Sequence, residues 1–427
     1  MDRDRRLAFL ILRDICGNNS WSNLAVNRRI SEEGASKPAF VRELVYGCLR
    51  SQFLLDYNID RFLKKPGLSS SDRVLLRMGF YQLAFMDGVS DHAAVNETVA
   101  IAAAFIKGRQ GFINAVLRAF QRDGKRLFDD GLSTRYSCAE WITDLWTAAY
   151  GEEKAEEILK QSCLPAPLTI RTNIMKITRE ELAERLRALG FPAEETGLSS
   201  VCLKISGSGL LDTPLYREGY FSVQGEASAN AVELLSPKPG EVFLDLCAAP
   251  GGKTCAAAEQ MQDRGSISAF DVHPHRVELI RKEALRLGLS SVSAQVSDSS
   301  VFRPELKESA DCVLADVPCS GLGTIRRNPE IKLKRLGSEE SASALEKLKK
   351  IQYNILLNAL SYVKTGGRVM YSTCTIDPAE NGELVRSVLA DRDGFSIEHE
   401  RQIFPSEGGP DGFYTCLIRR SDDKRRL

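Results

Sequence analysis

Apolar positions recur at helical spacing through the first 128 residues. RRLAFLILRDICG (5–17) opens the pattern, and Gly17 is a stop signal for it. SDRVLLRMGFYQLAFM (71–86), HAAVNETVAIAAAFI (92–106) and GFINAVLRAFQR (111–122) continue it, with punctuation such as KKPGLSSSD (64–72) between segments. Strand-like alternation is missing, so an all-α bundle is expected over 1–128. Residues 129–228 are mixed: CAEWITDLWTAAYGEEKAEEILKQSC (138–163) predicts one or two helices. PLTIRTNIMKITREELAERLRALGF (167–191) predicts a strand and then a helix with Thr178 as its cap. This region reads as a small α+β connector. Over 229–427 the period changes again. EVFLDLC (241–247), SISAFDV (266–272), SVSAQVS (291–297), DCVLADV (311–317) and RVMYSTC (368–374) are apolar runs of strand length. Helical segments such as VELIRKEALRLGL (277–289) and LEKLKKIQYNILLNALSYV (345–363) lie between them. The alternation predicts a Rossmann-like α/β layer, a parallel sheet covered by helices on both faces.

Composition then narrows the function classes. The chain has 427 residues, 43% hydrophobic and 27% charged, which suits a soluble protein with two or three cores. Fifty-seven basic residues balance fifty-seven acidic ones, so any nucleic-acid binding must come from local patches. Arg28, Arg29, Lys107, Arg109, Arg118, Arg122, Lys125 and Arg126 supply local charge, and equally suit solvated helix faces. The N-terminal apolar run, Leu7 to Leu12, is broken by Arg13 and Asp14 and is too short for a signal peptide. No run approaches membrane-spanning length, so a cytoplasmic protein without a membrane partner is expected. The eleven cysteines form no C-x-x-C pair, and the four histidines do not cluster with them. No zinc or other metal site is expected, and most thiols read as reduced apolar fillers.

The stretch FLDLCAAPGGKTCAAAE (243–259) raises a sharper question, because its GGKT end resembles a phosphate-binding P-loop. The first glycine of that pattern falls on Cys247, and Pro250 has no N–H to offer a phosphate. The nucleotide triphosphatase reading is therefore poor. Gly251 and Gly252 still allow close backbone approach of a ligand where a helix begins. SISAFDV then brings Asp271 to a strand end nineteen residues after Gly252, the place where dinucleotide folds hold ribose hydroxyls. Asp298 ends a third strand, within reach of an adenine. Each acid alone also suits a strand-end cap, but with Asp245 in the first strand, three in register on successive strands point to a nucleoside with a charged tail. The glycine spacing of nicotinamide-dinucleotide sites is missing. S-adenosyl-L-methionine, with adenine, ribose, an amino-acid tail and no phosphate, fits better, and a helix N-terminus suits its carboxylate.

Two cysteines complete the picture. DCVLADVPCSGLGTIRRNPEIK puts Asp316, Pro318 and Cys319 at one strand end, and GRVMYSTCTIDPAENGELV puts Cys374 at the next. Fifty-five residues apart in sequence, they are expected to converge on one cleft. A thiolate beside a methyl donor suits carbon methylation of a pyrimidine. C5 of cytosine is a poor nucleophile, and thiolate addition to C6 makes it enamine-like. An acid at N3 takes up the developing charge, and Asp316 is the candidate. Spacing does not choose between the two cysteines. Arg326, Arg327, Lys332, Lys334 and Arg335 follow Cys319 and read as a patch for RNA phosphates.

FVRELVYGCLR (40–50), LLRMGFYQLAFM (75–86), HAAVNETV (92–99) and GFINAVLRAFQR (111–122) resemble the NusB-like RNA-binding domain, in its order. DLCAAPGGKT, DVPCSG with IRRNPEIK, and YSTCTIDPAEN are similar to the motifs of bacterial RNA cytosine-C5 methyltransferases of the Sun/Fmu type. The resemblance implies a NusB-like domain over 1–128, a connector over 129–228 and a class I methyltransferase sheet over 229–427. It implies that Cys374 is the nucleophile and that Cys319 assists product release. It implies S-adenosyl-L-methionine contacts from Cys247, Ala248, Ala249, Pro250, Gly251, Gly252 and Lys253, and from Asp271, Asp298 and Asp316. The implied substrate is 16S ribosomal RNA, and the implied enzyme is a monomer without a metal. A non-catalytic RNA-binding factor, or an enzyme acting on tRNA or DNA, are the competing readings. The intact cysteine pair disfavours the first, and the helical front end disfavours DNA.

Overall fold

Helical periodicity at the N-terminus becomes seven helices in the computed structural model, which describes residues 1–18, 22–64, 67–333 and 339–421. They span Arg3–Asn18, Ser22–Glu33, Pro38–Arg50, Gln52–Asp60, Ser70–Phe85, Asp91–Phe105 and Gln110–Arg122. The first runs one residue past the expected stop at Gly17. Serines set two of the starts: Ser69 accepts from the Asp72 N–H and Ser90 from the Ala93 N–H. Their apolar faces share one core, in which the Phe80 and Phe120 rings stack at 4.0 Å. Gly151, at φ +82°, separates the helices Glu140–Tyr150 and Glu152–Ser162, so the 138–163 segment forms two. Met1–Pro165 together with Ile325–Leu336 form the first of two compact units. The second comprises Ala166–Thr324 and Gly337–Leu427, so it holds the remainder of the connector as well as the large sheet.

The connector supplies an antiparallel sheet of β1 (Leu168–Thr172), β2 (Ala193–Glu195), β3 (Cys202–Ile205) and β4 (Phe221–Val223), in the order β2-β3-β1-β4. The helix Arg179–Ala188 packs on it through Leu182 and Leu186. Thr178 caps that helix as expected, and Glu181 completes a reciprocal capping box.

The large sheet contains β5 (Val242–Asp245), β6 (Ser266–Asp271), β7 (Val292–Val296), β8 (Ala310–Asp316), β9 (Val363–Thr373), β10 (Phe395–Ile403) and β11 (Phe413–Arg420). Its order is β10-β11-β9-β8-β5-β6-β7. The five strands expected from the apolar runs pair in parallel. β11 runs antiparallel to both β9 and β10, which makes the sheet mixed. Alternate residues feed two cores: Phe243, Leu314 and Met370 on one face, Leu244, Val313 and Tyr371 on the other. Because β5 is flanked by β6 and β8, the chain reverses direction of travel beside it. The carboxyl ends there form the crevice where open α/β sheets bind ligands.

Candidate active site

Parallel strands carry the acids to that one edge. β5 ends at Asp245, β6 at Asp271 and β8 at Asp316, and Asp298 lies just beyond β7. Asp245 is wholly buried, and accepts from Thr254 Oγ1 at 2.7 Å and from the Cys247 N–H at 3.3 Å. Burial pushes its pKa up to about 7, against the pull of the Thr254 hydrogen bond. It thereby ties the turn Cys247–Gly251 to the helix Gly252–Gln260. Gly251 sits at φ +108°, and a Cβ there would stand 3.2 Å from Ile280 Cα, so a side chain would be strained and would press on the next helix. Asp271 accepts from the His273 N–H at 3.0 Å, and Arg276, 3.6 Å from Asp271, also donates to the Ala249 carbonyl at 3.2 Å. Asp298 is exposed and accepts from Ser300. Burial, followed by the charges of Asp245, Asp316 and Asp271, pushes the Cys247 thiol well up, so it keeps its proton. A glycine turn, a helix N-terminus and acids at the ends of adjacent strands thus stand along one edge of the sheet. That donor set fits S-adenosyl-L-methionine.

The second cluster adjoins the first through Asp316. Lys253 Nζ donates to one of its oxygens and Ser372 Oγ to the other, each at 2.7 Å. The Lys253 ammonium also stands 5.2 Å from the centre of the Phe413 ring. Cys319, three residues past the end of β8, and Cys374, directly after β9, meet with their sulfurs 3.2 Å apart. Both are half-buried. Their loops are stitched together: the Gly323 N–H donates to the Cys374 carbonyl at 3.0 Å, and Ser320 Oγ lies 2.8 Å from Thr375 Oγ1. Gly323 leaves no room for a side chain, since a Cβ would fall 2.1 Å from the Gly412 carbonyl and 2.8 Å from that of Cys374. The hydrogen bond to Cys374 and then burial push the Cys319 thiol well above its ordinary value.

The structure thus pairs Lys253 with Asp316 and Cys319 with Cys374 at the carboxyl ends of the neighbouring strands β8 and β9, with Cys247 to Gly252 after the adjacent β5. Among the described residues, the expected phosphate patch is not exposed. Arg326 and Lys332 are 2% and 0% exposed, and both belong to the helical unit rather than to the sheet. Lys332 Nζ donates to the Tyr136 carbonyl at 2.7 Å and lies 3.4 Å from Cys163 Sγ. A buried ammonium bound in this way cannot also reach RNA. Arg327 is half-buried, and Lys334 and Arg335 lie outside the described residues. Ser372, Glu380 and Gln352 were not singled out from the sequence. The first two lie in the quoted YSTCTIDPAEN motif, which was the available signal; nothing local marks Gln352.

Three family models match: the NusB family over residues 2–122, the ferredoxin-like domain of RsmF/B-like methyltransferases over 138–210, and 16S rRNA methyltransferase RsmB/F over 232–419. The chain is 35% identical to a probable ribosomal RNA small subunit methyltransferase B of Bacillus subtilis, over 94% of this chain and 95% of that one. It is 33% identical to the ribosomal RNA small subunit methyltransferase B of Vibrio cholerae, over 90% and 89%. The solved structure of PH0851 covers 98% of this chain and 99% of its own, with a TM-score of 0.81 at 25% identity. A methyltransferase homolog from Pyrococcus horikoshii covers 68% and 97%, with a TM-score of 0.58 at 26% identity. With all three regions matched and full-length relatives above 30% identity, the chain belongs to the ribosomal RNA small subunit methyltransferase B family, S-adenosyl-L-methionine-dependent enzymes that methylate rRNA.

Proposed function

We propose that this protein methylates C5 of a cytosine in 16S ribosomal RNA through a covalent bond between Cys374 and C6. The observation that carries the reading is the 3.2 Å sulfur pair beside the Lys253–Asp316 ion pair, at the edge that carries the glycine turn. The bound cofactor supplies an electrophilic methyl group on a sulfonium, held by Cys247 to Lys253, Asp271, Asp298 and Asp316. The Cys374 thiolate adds to C6 of the target base, and C5 becomes enamine-like and able to take the methyl group. Asp316, already joined to Lys253, handles the proton at N3 that balances the developing charge. A base then removes the C5 proton, the C5–C6 double bond re-forms, and the C6–S bond breaks to return the thiolate. Cys319 assists this last stage. The base must leave its stack to reach half-buried sulfurs. The relatives named as small-subunit enzymes support 16S rRNA as the substrate.

Cys374→Ala is expected to lower transfer of labelled methyl groups to 16S rRNA by roughly 10³-fold or more, and near-normal turnover overturns the assignment. Cys319→Ala is expected to leave RNA bound to the enzyme through denaturing electrophoresis. Bisulfite sequencing of 16S rRNA from a strain lacking the gene is expected to lose one 5-methylcytosine. An unchanged pattern would exclude 16S rRNA as the substrate.

A further inference from the structure

The Cys319 loop is held by a buried side-chain pair that the chemistry above does not use. Glu380 and Gln352 are both 0% exposed. Glu380 Oε2 accepts from the Ser320 N–H at 2.9 Å and from Gln352 Nε2 at 2.7 Å. Gln352 Nε2 also donates to the Pro318 carbonyl at 2.8 Å. The two peptide groups that flank Cys319 are thus anchored by one Glu–Gln pair. Glu380 is anchored in turn, because its carbonyl accepts from Tyr371 Oη at 2.7 Å, three residues before Cys374. The pair therefore links the loop carrying one sulfur to the strand carrying the other.

Stability alone does not favour this arrangement. A carboxylate taken out of water is costly, and an apolar pair of similar volume would pack more cheaply. Here its partners are N–H groups, and Oε1 of both Glu380 and Gln352 has no hydrogen-bond partner among the described residues. A buried polar pair that stability does not favour can instead fix a geometry. We infer that Glu380, together with Gln352, is the positioning residue for Cys319, holding its thiol 3.2 Å from Cys374 for the release stage of the reaction. The nearby Glu380 carboxylate also raises the Cys319 thiol, after the hydrogen bond to Cys374 and burial.

This inference rests on the proposed function, and the test separates the two. Full-length variants are assayed with labelled S-adenosyl-L-methionine and 16S rRNA for first-turnover methyl transfer, steady-state turnover and adduct on denaturing gels. Glu380→Ala is expected to slow turnover about 10- to 100-fold, to spare the first methyl transfer and to accumulate adduct, since a small misplacement has effects of that size. Glu380→Gln, which keeps an acceptor for Ser320, is expected to restore most of the turnover. Gln352→Ala removes the Pro318 anchor from the other side and is expected to show the same split if Glu380→Ala fails to fold. First-turnover transfer and turnover falling together, or neither changing, overturns the inference. If Cys319→Ala traps adduct and the Glu380 and Gln352 variants do not, only the inference fails. If Cys319→Ala traps none, the proposed function fails first.

Discussion

Asp245 ends β5 with its carboxyl group fully buried and bonded to Thr254. Its pKa of about 7 lies well above the ordinary unfolded value of about 3.9, so the folded protein holds this proton more tightly than the unfolded chain. The stability it contributes is fully present below about pH 4 and is lost as pH rises through about 7. Asp245→Asn keeps an acceptor for Thr254 and removes the titration. Relative to that variant, the wild type is expected to lose stability between about pH 4 and pH 7, by at most roughly 4 kcal/mol. Urea midpoints measured across that range check it, and parallel profiles for the two proteins would show that Asp245 does not titrate there. At this scale the sequence was legible where it was local. An acid at the end of an apolar run sits at a strand end, and Asp245, Asp271 and Asp316 do so. The partners of those acids were not legible, because Lys253 meets Asp316 across 63 residues and only the folded sheet brings them together.

Among the elements, β1 and the helix Gly252–Gln260 are joined by a pair that neither segment announces. Arg171 donates to both oxygens of Glu259, at 2.6 and 3.1 Å, and both side chains are 2% exposed. The same guanidinium reaches the Gly252 carbonyl at 2.5 Å and the Gln224 side chain, so it braces the first turn of the helix that follows the glycine turn. Removing one partner leaves the other buried and unpaired. Arg171→Met is therefore expected to cost about 3–5 kcal/mol, and Arg171→Met with Glu259→Leu to recover most of it. A double-mutant cycle on denaturation midpoints measures the coupling, and additive losses would deny it. Element type was readable wherever the period was strong: the Thr178 cap and the five parallel strands follow from spacing alone. β10 and β11 escaped notice for different reasons. FSIEHERQI is an edge strand too polar to show an apolar run, while FYTCLIRR follows a loop instead of a helix and so falls outside the strand–helix rhythm.

For the molecule as a whole, chain order and compactness disagree, and the basic residues after Cys319 show why that matters. In sequence they adjoin the Pro-Cys motif, which made a phosphate patch the natural reading. In the fold, the described part of this segment, residues 325–333, belongs to the helical unit and not to the sheet unit. Its anchors are internal to that unit: Glu330 accepts from Ser22, the Lys332 carbonyl accepts from the Ala139 N–H at 2.8 Å, and Ile331 is buried. Removing residues 1–128 would take Ser22 away from Glu330, so a loss of RNA binding in such a fragment would not isolate the role of the helices. A substitution in the full chain separates the cases. Lys332→Met is expected to lower stability by about 1–3 kcal/mol, because the Tyr136 carbonyl loses its buried donor. It is expected to leave the salt dependence of RNA binding unchanged. A phosphate contact at that lysine would instead reduce the slope of log K against log salt by roughly 0.7–0.9 while sparing stability. Thermal unfolding and RNA titration at several salt concentrations, run on one preparation, therefore assign Lys332 to the interior or to the RNA without depending on catalysis.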